Sequence, residues 1–283
     1  MTREVFILHG SSRDWDAGRQ AMRHYVPEQT LRAYLTERSH PFVDPDSGEQ
    51  GDVLTVDDST RGGAETCFIA RELGHEVTLF LNPSQIISGH DYWFSRFDAL
   101  VDERRATTAT YDGVTFNLQV REELRGFRSA ARLRLVTSTE RDAHGLLDDI
   151  EKLLDARGAQ VSDHARSISL QDVERLKAAG VRLASHGWDH QCISSLSAEQ
   201  QISSLHRTRD WLIETTGTEP RDYAVPFGMQ RLDVRARMAV PGTIYLVHPS
   251  LPPEAAGEGY RYRRNLTSML QDRLLQENKS TGN

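Results

Sequence analysis

The run Val77-Thr78-Leu79-Phe80-Leu81 is apolar at almost every position and stops abruptly at Asn82-Pro83. It follows a helical stretch over residues 64–73 that closes at Gly74, a residue suited to the left-handed turn after a helix. A strand this apolar has to be buried, and strand–helix–strand alternation is the sequence mark of parallel α/β packing. The same rhythm returns further on. Ser169 is placed to cap a helix that ends at Gly180, with Val173 and Leu176 facing inward, and a strand over residues 181–185 follows. Ser197-Ala198-Glu199-Gln200 has the form of a capping box, and the helix it opens carries Ile202, Leu205 and Leu212 before ending near Gly217. Further strands are expected over residues 222–225 and 243–247. Upstream, Val5-Phe6-Ile7-Leu8 reads as a strand and residues 27–36 as a helix with Leu31 and Leu35 inward.

Residues 84–165 break this alternation. They carry an aromatic cluster, Asp91-Tyr92-Trp93-Phe94, an edge-like strand over residues 114–118, and helical stretches near 120–132 and 146–157. The reading is an inserted cap within one domain over residues 1–275, with a polar, frayed tail over 276–283. The 283 residues suffice for one substantial core. No apolar run approaches the length of a membrane span. A formal net charge of −7 argues against a nucleic-acid partner, which would require a basic surface. Two cysteines, Cys67 and Cys192, fit a reducing compartment better than a disulfide scaffold. Met1-Thr2-Arg3-Glu4 runs straight into the first strand without the pattern of a secretory signal, so a cytoplasmic protein is expected.

Parallel α/β folds place their chemistry at the carboxyl ends of strands. Two such ends are chemically loaded here. Asp57 and Asp58 follow Val53-Leu54-Thr55-Val56, and His186-Gly187-Trp188-Asp189-His190 follows the strand at 181–185. Two imidazoles and one carboxylate hold a divalent ion while leaving a coordination position open, and a second acid remains as general base. The two histidines converge if the segment between them turns helically. Pro226-Phe227-Gly228 ends another strand and offers backbone N–H groups to an oxyanion. His248, after residues 243–247, is a candidate proton donor to a departing amine. Each feature has a plainer reading: a turn for Asp-Asp and for Pro-Phe-Gly, surface histidines for the pair, a core histidine for His248. Arg125, Arg128 and Arg132 share a helical side, either solvated or facing an anionic substrate. The aromatics at 91–94 fit hydrophobic packing or sugar stacking.

Taken in order, Leu54-Thr55-Val56-Asp57-Asp58, Ser185-His186-Gly187-Trp188-Asp189-His190, Tyr223-Ala224-Val225-Pro226-Phe227-Gly228 and Leu246-Val247-His248 resemble the motifs of the polysaccharide deacetylases. This is the chitooligosaccharide-deacetylase homology domain, carbohydrate esterase family four. The resemblance covers residues 25–95 and 165–250. It implies a distorted, incomplete (β/α) barrel, with Asp57 as base and His248 as acid. Asp58, His186 and His190 would ligate zinc or a similar ion such as Co2+, Ni2+ or Fe2+, and Pro226, Phe227 and Trp188 would border the substrate. The implied activity is removal of an acetyl or similar acyl group from an N-acylated amino sugar or related small metabolite. Hydrolysis of a formamide or cyclic imide, or a non-catalytic sugar-binding role, are the alternatives.

The chain departs from the family at several positions. Ser59-Thr60 stands where glycine is usual, and Gly187 where a hydroxyl braces the histidine loop. Ala224 replaces an arginine that in many members steers the base, and the span from Pro226 to His248 is short. Ile7-Leu8-His9-Gly10-Ser11-Ser12 resembles the oxyanion strand of α/β-hydrolases. No Gly-x-Ser-x-Gly elbow follows it, which removes that reading.

Overall fold

The computed structural model describes residues 3–228, 230–248 and 250–280, the last four by backbone alone. β1 (Val5–Leu8) leads through two short paired strands, β2 (Ser11–Ser12) and β3 (Val26–Pro27), to α1 (Glu28–Glu37). β4 (Val53–Val56), α2 (Arg61–Glu72) and β5 (Thr78–Leu81) form the strand–helix–strand unit expected from the sequence. Next come α3 (Pro83–Ser88), α4 (Trp93–Asp102), the hairpin β6 (Thr108–Tyr111) and β7 (Val114–Asn117), α5 (Arg121–Val136) and α6 (Glu140–Leu153). Alternation resumes with α7 (Leu170–Ala178), β8 (Arg182–Ser185), α8 (Ala198–Thr216) and β9 (Tyr223–Ala224). It closes with α9 (Val234–Arg237), β10 (Ile244–Val247), β11 (Tyr260–Asn265) and α10 (Leu266–Ser280).

Seven strands close into a barrel in the order β1-β11-β10-β9-β8-β5-β4, one short of eight. Every neighbouring pair is parallel, so all the strands' carboxyl ends share one mouth. Alternation along the strands sorts the side chains. Leu54, Val56, Leu79 and Leu81 pack outward against Leu31, Leu35, Ile69, Leu176 and Leu212 of the surrounding helices. Val5, Val53, Phe80, Ala184, Ala224 and Tyr245 fill the interior. The helix starts are local and sequence-driven: Ser169 with Asp172, and Ser197 with Gln200, form reciprocal capping boxes.

The inserted residues carry a hydrophobic core of their own, including Trp93, Phe97, Phe127, Leu135, Leu147 and Ile150. Phe227, from the barrel mouth, packs against it. α6 starts earlier than the expected 146 because Thr139 accepts the Asp142 N–H and caps it there.

Two expectations need correction. The tail thought to fray after Leu275 continues α10 to Ser280, and residues 281–283 lie outside the described residues. β11 is absent from the sequence reading altogether. Its text, Tyr-Arg-Tyr-Arg-Arg-Asn, looks like a solvated edge, yet Arg263 is fully buried.

Candidate metal centre

Asp57 and Asp58 leave β4 and His186 leaves β8, on two strands that both flank β5. Residues at the mouth adopt costly backbone conformations. Asp58 (φ 69°), His190 (φ 57°) and Phe227 (φ 61°) are left-handed, a region that residues other than glycine rarely occupy and that concentrates at functional sites. The helical turn expected between the histidines does not form. Gly187 at φ 80° and His190 fold residues 186–190 into an irregular turn, and the two rings meet that way, 4.8 Å between centroids. A methyl group on Gly187 would find only ordinary contacts, so the backbone angle is what calls for glycine.

The brace missing at Gly187 comes from other residues. Asn82 Nδ2, at the end of β5, donates to the carbonyls of His186 (2.7 Å) and Gly187 (3.1 Å), and Ser204 Oγ accepts the Trp188 N–H at 2.9 Å. Ser59, in the place usual for glycine, accepts the Asn82 N–H at 2.8 Å and donates its own N–H to Tyr92 Oη at 2.7 Å. Tyr92 Oη in turn donates to Asn82 Oδ1 at 2.8 Å. One buried network thus ties the acid loop to the histidine loop.

Asp58, His186 and His190 each offer a ligand atom, all within 4.8 Å of one another, and all three side chains are buried. Asp58 Oδ1 lies 3.2 Å from His190 Nε2 and 3.5 Å from His186 Nε2. His186 Nδ1 donates to the Ala224 carbonyl at 2.8 Å, which leaves its Nε2 lone pair facing Asp58. Asp58 Oδ1 and His190 Nδ1 are buried without hydrogen-bond partners. A buried carboxylate oxygen without a hydrogen-bond partner beside two imidazole nitrogens is a donor set that fits a divalent metal. Burial opposes the charge on Asp58, but His190 and His186 outweigh it and hold the carboxyl well below its ordinary value. Burial also opposes protonation of both imidazoles. On His186 the carboxylates of Asp57 and Asp58 prevail and raise it, whereas on His190 burial prevails and lowers it.

Asp57 stands outside this ligand set, its Oδ2 3.8 Å from His186 Nε2. Arg263 of β11 grips both its oxygens, Nη1 to Oδ1 at 2.5 Å and Nη2 to Oδ2 at 2.6 Å, and also reaches Thr55 Oγ1 at 3.2 Å. The guanidinium lies inside the barrel over the rings of Phe80 (5.5 Å) and Tyr245 (5.7 Å). Burial raises Asp57, but Arg263 and His186 together hold it below its ordinary value, ready to accept a proton while ionised at neutral pH. Position 224 holds alanine, and the arginine enters from the opposite side of β10. Sequence reasoning missed it because it missed the strand.

The remaining expected residues fall in different places. Phe227 presents its ring to His190 at 4.7 Å and to Trp93 of the cap at 6.2 Å, and Tyr92 and Phe94 complete the wall around His190. The Gly228 N–H is spent on the Val225 carbonyl at 2.9 Å, while the Phe227 N–H finds no partner among the described residues. Pro226 precedes it in the same turn. Trp188 is not among the rings around His190; the guanidinium of Arg207 lies over its ring at 3.5 Å. His248 follows β10 at the same mouth, its ring tilted against that of Tyr262 with 5.1 Å between centroids. Its Nδ1 accepts the N–H groups of Ser250 (3.2 Å) and Leu251 (3.0 Å), which puts the proton of the neutral ring on Nε2.

Residues 150–243 match the model of the polysaccharide deacetylase family, a span that holds His186, His190 and the Pro226-Phe227-Gly228 turn. No curated protein matches the chain. Solved structures share its fold. The deacetylase PplD of Streptococcus pyogenes, in complex with acetate, superposes with a TM-score of 0.59 at 12% identity over 98% of this chain and 97% of that one. The de-N-acetylase of Aggregatibacter actinomycetemcomitans gives 0.53 at 12% identity over 93% and 94%. IcaB of Ammonifex degensii gives 0.53 at 12% identity over 95% and 97%.

Proposed function

We propose that this chain, whose residues 150–243 match the polysaccharide deacetylase family and whose strands close into a parallel barrel, is a metal-dependent hydrolase that removes an acetyl group from an N-acylated amino sugar. The observation that carries this reading is the division of labour between neighbouring aspartates. Asp58 shares a dry donor set with two imidazoles, while Asp57 is excluded from it and held by Arg263.

Zinc or a comparable divalent ion on Asp58, His186 and His190 would supply Lewis acidity toward the acyl oxygen and acidify a water. The protein's own groups do the rest. Asp57 takes the proton of the attacking water, and Arg263 keeps the carboxylate ionised and oriented. The Phe227 N–H is available to the oxygen on which negative charge develops. His248, which follows β10 at the same mouth, would pass a proton to the departing amine from its imidazolium form, returning to the neutral ring. The aromatic wall of Tyr92, Phe94 and Phe227 excludes water around His190, which strengthens every charge interaction in the site. Trp93 and Phe227 join cap and barrel beside the cluster, which favours a short acylated sugar over a long polymer.

The test is acetate release from N-acetylglucosamine and from chitooligosaccharides of increasing length, with and without chelator. Release that is abolished by chelator and falls with chain length supports the reading. Release that is indifferent to chelator overturns the metal dependence, and release that rises with length overturns the small substrate.

A further inference from the structure

The cap carries a second chemical feature beside the metal cluster. Arg121, Arg125, Arg128 and Arg132 recur along one side of α5 at helical spacing. Arg121 and Arg125 are exposed, as a solvated side would be. Arg128 and Arg132 are different. Arg128 Nη2 donates to Asp98 of α4 at 2.6 Å, with 10% and 8% of the two side chains exposed, and Arg128 Nε is buried with no partner. Arg132, one turn further on and partly buried, has neither ion pair nor hydrogen bond for its guanidinium among the described residues, and the same holds for Arg23. Elsewhere in the cap, Arg96 and Arg134 do have carboxylate partners.

Asp98 is an incomplete counter-ion. Burial pushes its carboxyl up to about 6 in spite of Arg128, and Arg132 and Arg23 share no other acid at contact distance. Two histidines connect this group to the metal centre. His9 follows β1 at the barrel mouth with a buried, unpartnered Nδ1, and its ring lies 5.3 Å from that of His24. Leu8 pairs with Val56 of β4 and accepts the Asp57 N–H, which puts His9 next to the acid pair. Gln20 and Ala21, just ahead of Arg23 and His24, donate their N–H groups to Asp102 of α4, one turn beyond Asp98. A partly buried guanidinium without an anion is costly, and a planar fork of donors is matched by a phosphate or a carboxylate.

We propose that Arg132 and Arg128 of α5, with Arg23 and the His9–His24 pair, form a binding site for an anionic group, phosphate or carboxylate, carried by the acylated substrate beside the amide to be cleaved. This rests on the deacetylase reading and narrows its substrate class to acidic amino sugars. The neutral part of the substrate lies against the aromatic wall, and the anion ends on the arginines.

Two measurements on the metal-loaded protein test it. The first is calorimetric titration with inorganic phosphate and with glucuronate, comparing the wild type with Arg132→Gln and with Arg209→Gln, a surface arginine of α8 paired with Asp210. Losing one charge-assisted contact should weaken binding by roughly tenfold or more in Arg132→Gln and leave Arg209→Gln unchanged. Whichever probe binds more tightly identifies the anion. The second is acetate release from N-acetylglucosamine, its 6-phosphate and N-acetylmuramic acid. One of the acidic substrates should exceed the neutral one in kcat/KM by about tenfold or more, an advantage that Arg132→Gln removes while turnover of the neutral sugar persists. Equal turnover of all three, or binding that ignores Arg132, overturns the anion site and leaves the deacetylase reading standing. Arg132-dependent binding with no acetate released from any substrate overturns the deacetylase reading instead.

Discussion

The most consequential single contact is the bidentate pair between Asp57 and Arg263, made across 206 residues of sequence inside the barrel. Both partners are almost fully buried, so removing one strands a charge in a dry interior. Arg263→Met is therefore expected to destabilise the protein by about 3–5 kcal/mol, read from urea unfolding monitored by circular dichroism. A loss below about 1 kcal/mol would show that the pair is wetter than this geometry implies. His24 gives a pH prediction of definite sign. Burial, reinforced by His9 and Arg132, lowers its imidazole to about 3. The folded state therefore binds fewer protons than the unfolded one between there and the ordinary histidine value of about 6.5, and stability rises with pH across that window. His24→Gln should flatten the pH dependence of stability between about pH 4 and 6. An unchanged slope in the variant would show that His24 is protonated in the folded protein. At this scale the sequence was readable where the chemistry is local. Asp57, Asp58, His186 and His190 announce themselves at strand ends, and the Ser169 and Ser197 caps lie within one turn of their partners. Arg263 did not, because nothing near it in sequence says that a carboxylate waits inside the barrel.

At the level of elements the same contrast explains what was and was not legible. β4 and β5 were readable because their apolar runs admit only burial. β11 alternates aromatic and charged residues, a pattern that means a wet edge until its partner Asp57 is known. The histidine loop was expected to be helical because residues four apart share a helix face. Gly187 and the left-handed His190 bring the rings together by another route, held by Asn82 and Ser204. The cap is the element with a separate core, and it supplies Tyr92 and Phe94 of the aromatic wall and the arginines of α5. Phe127→Ala at its centre, a fully buried site, should cost about 3–5 kcal/mol. Hydrogen exchange should then quicken in α4, α5 and α6 while β4, β5 and β8 stay protected, since the two cores are largely distinct. Uniform loosening of cap and barrel would contradict that separation.

For the molecule as a whole, seven parallel strands bring residues far apart in sequence to one mouth. β4 supplies Asp57 and Asp58, β8 leads into His186 and His190, the turn after β9 carries Phe227, β10 leads into His248, and β11 brings the arginine that grips Asp57. The departures from the family pattern become intelligible at this scale. An arginine arriving from β11 grips Asp57 while β9 carries alanine, and Asn82 with Ser204 holds the histidine loop around Gly187. No helix among the described residues is long and apolar enough to cross a membrane. The account stands on a divalent cation held by Asp58 while Asp57 remains free to act as base. Its most direct test is metal analysis of purified wild type and Asp57→Asn, coupled to acetate release from each. The account predicts a stoichiometric divalent ion in both proteins and release only from the wild type. A protein that binds no ion, or an Asp57→Asn variant that releases acetate at the wild-type rate, would contradict it.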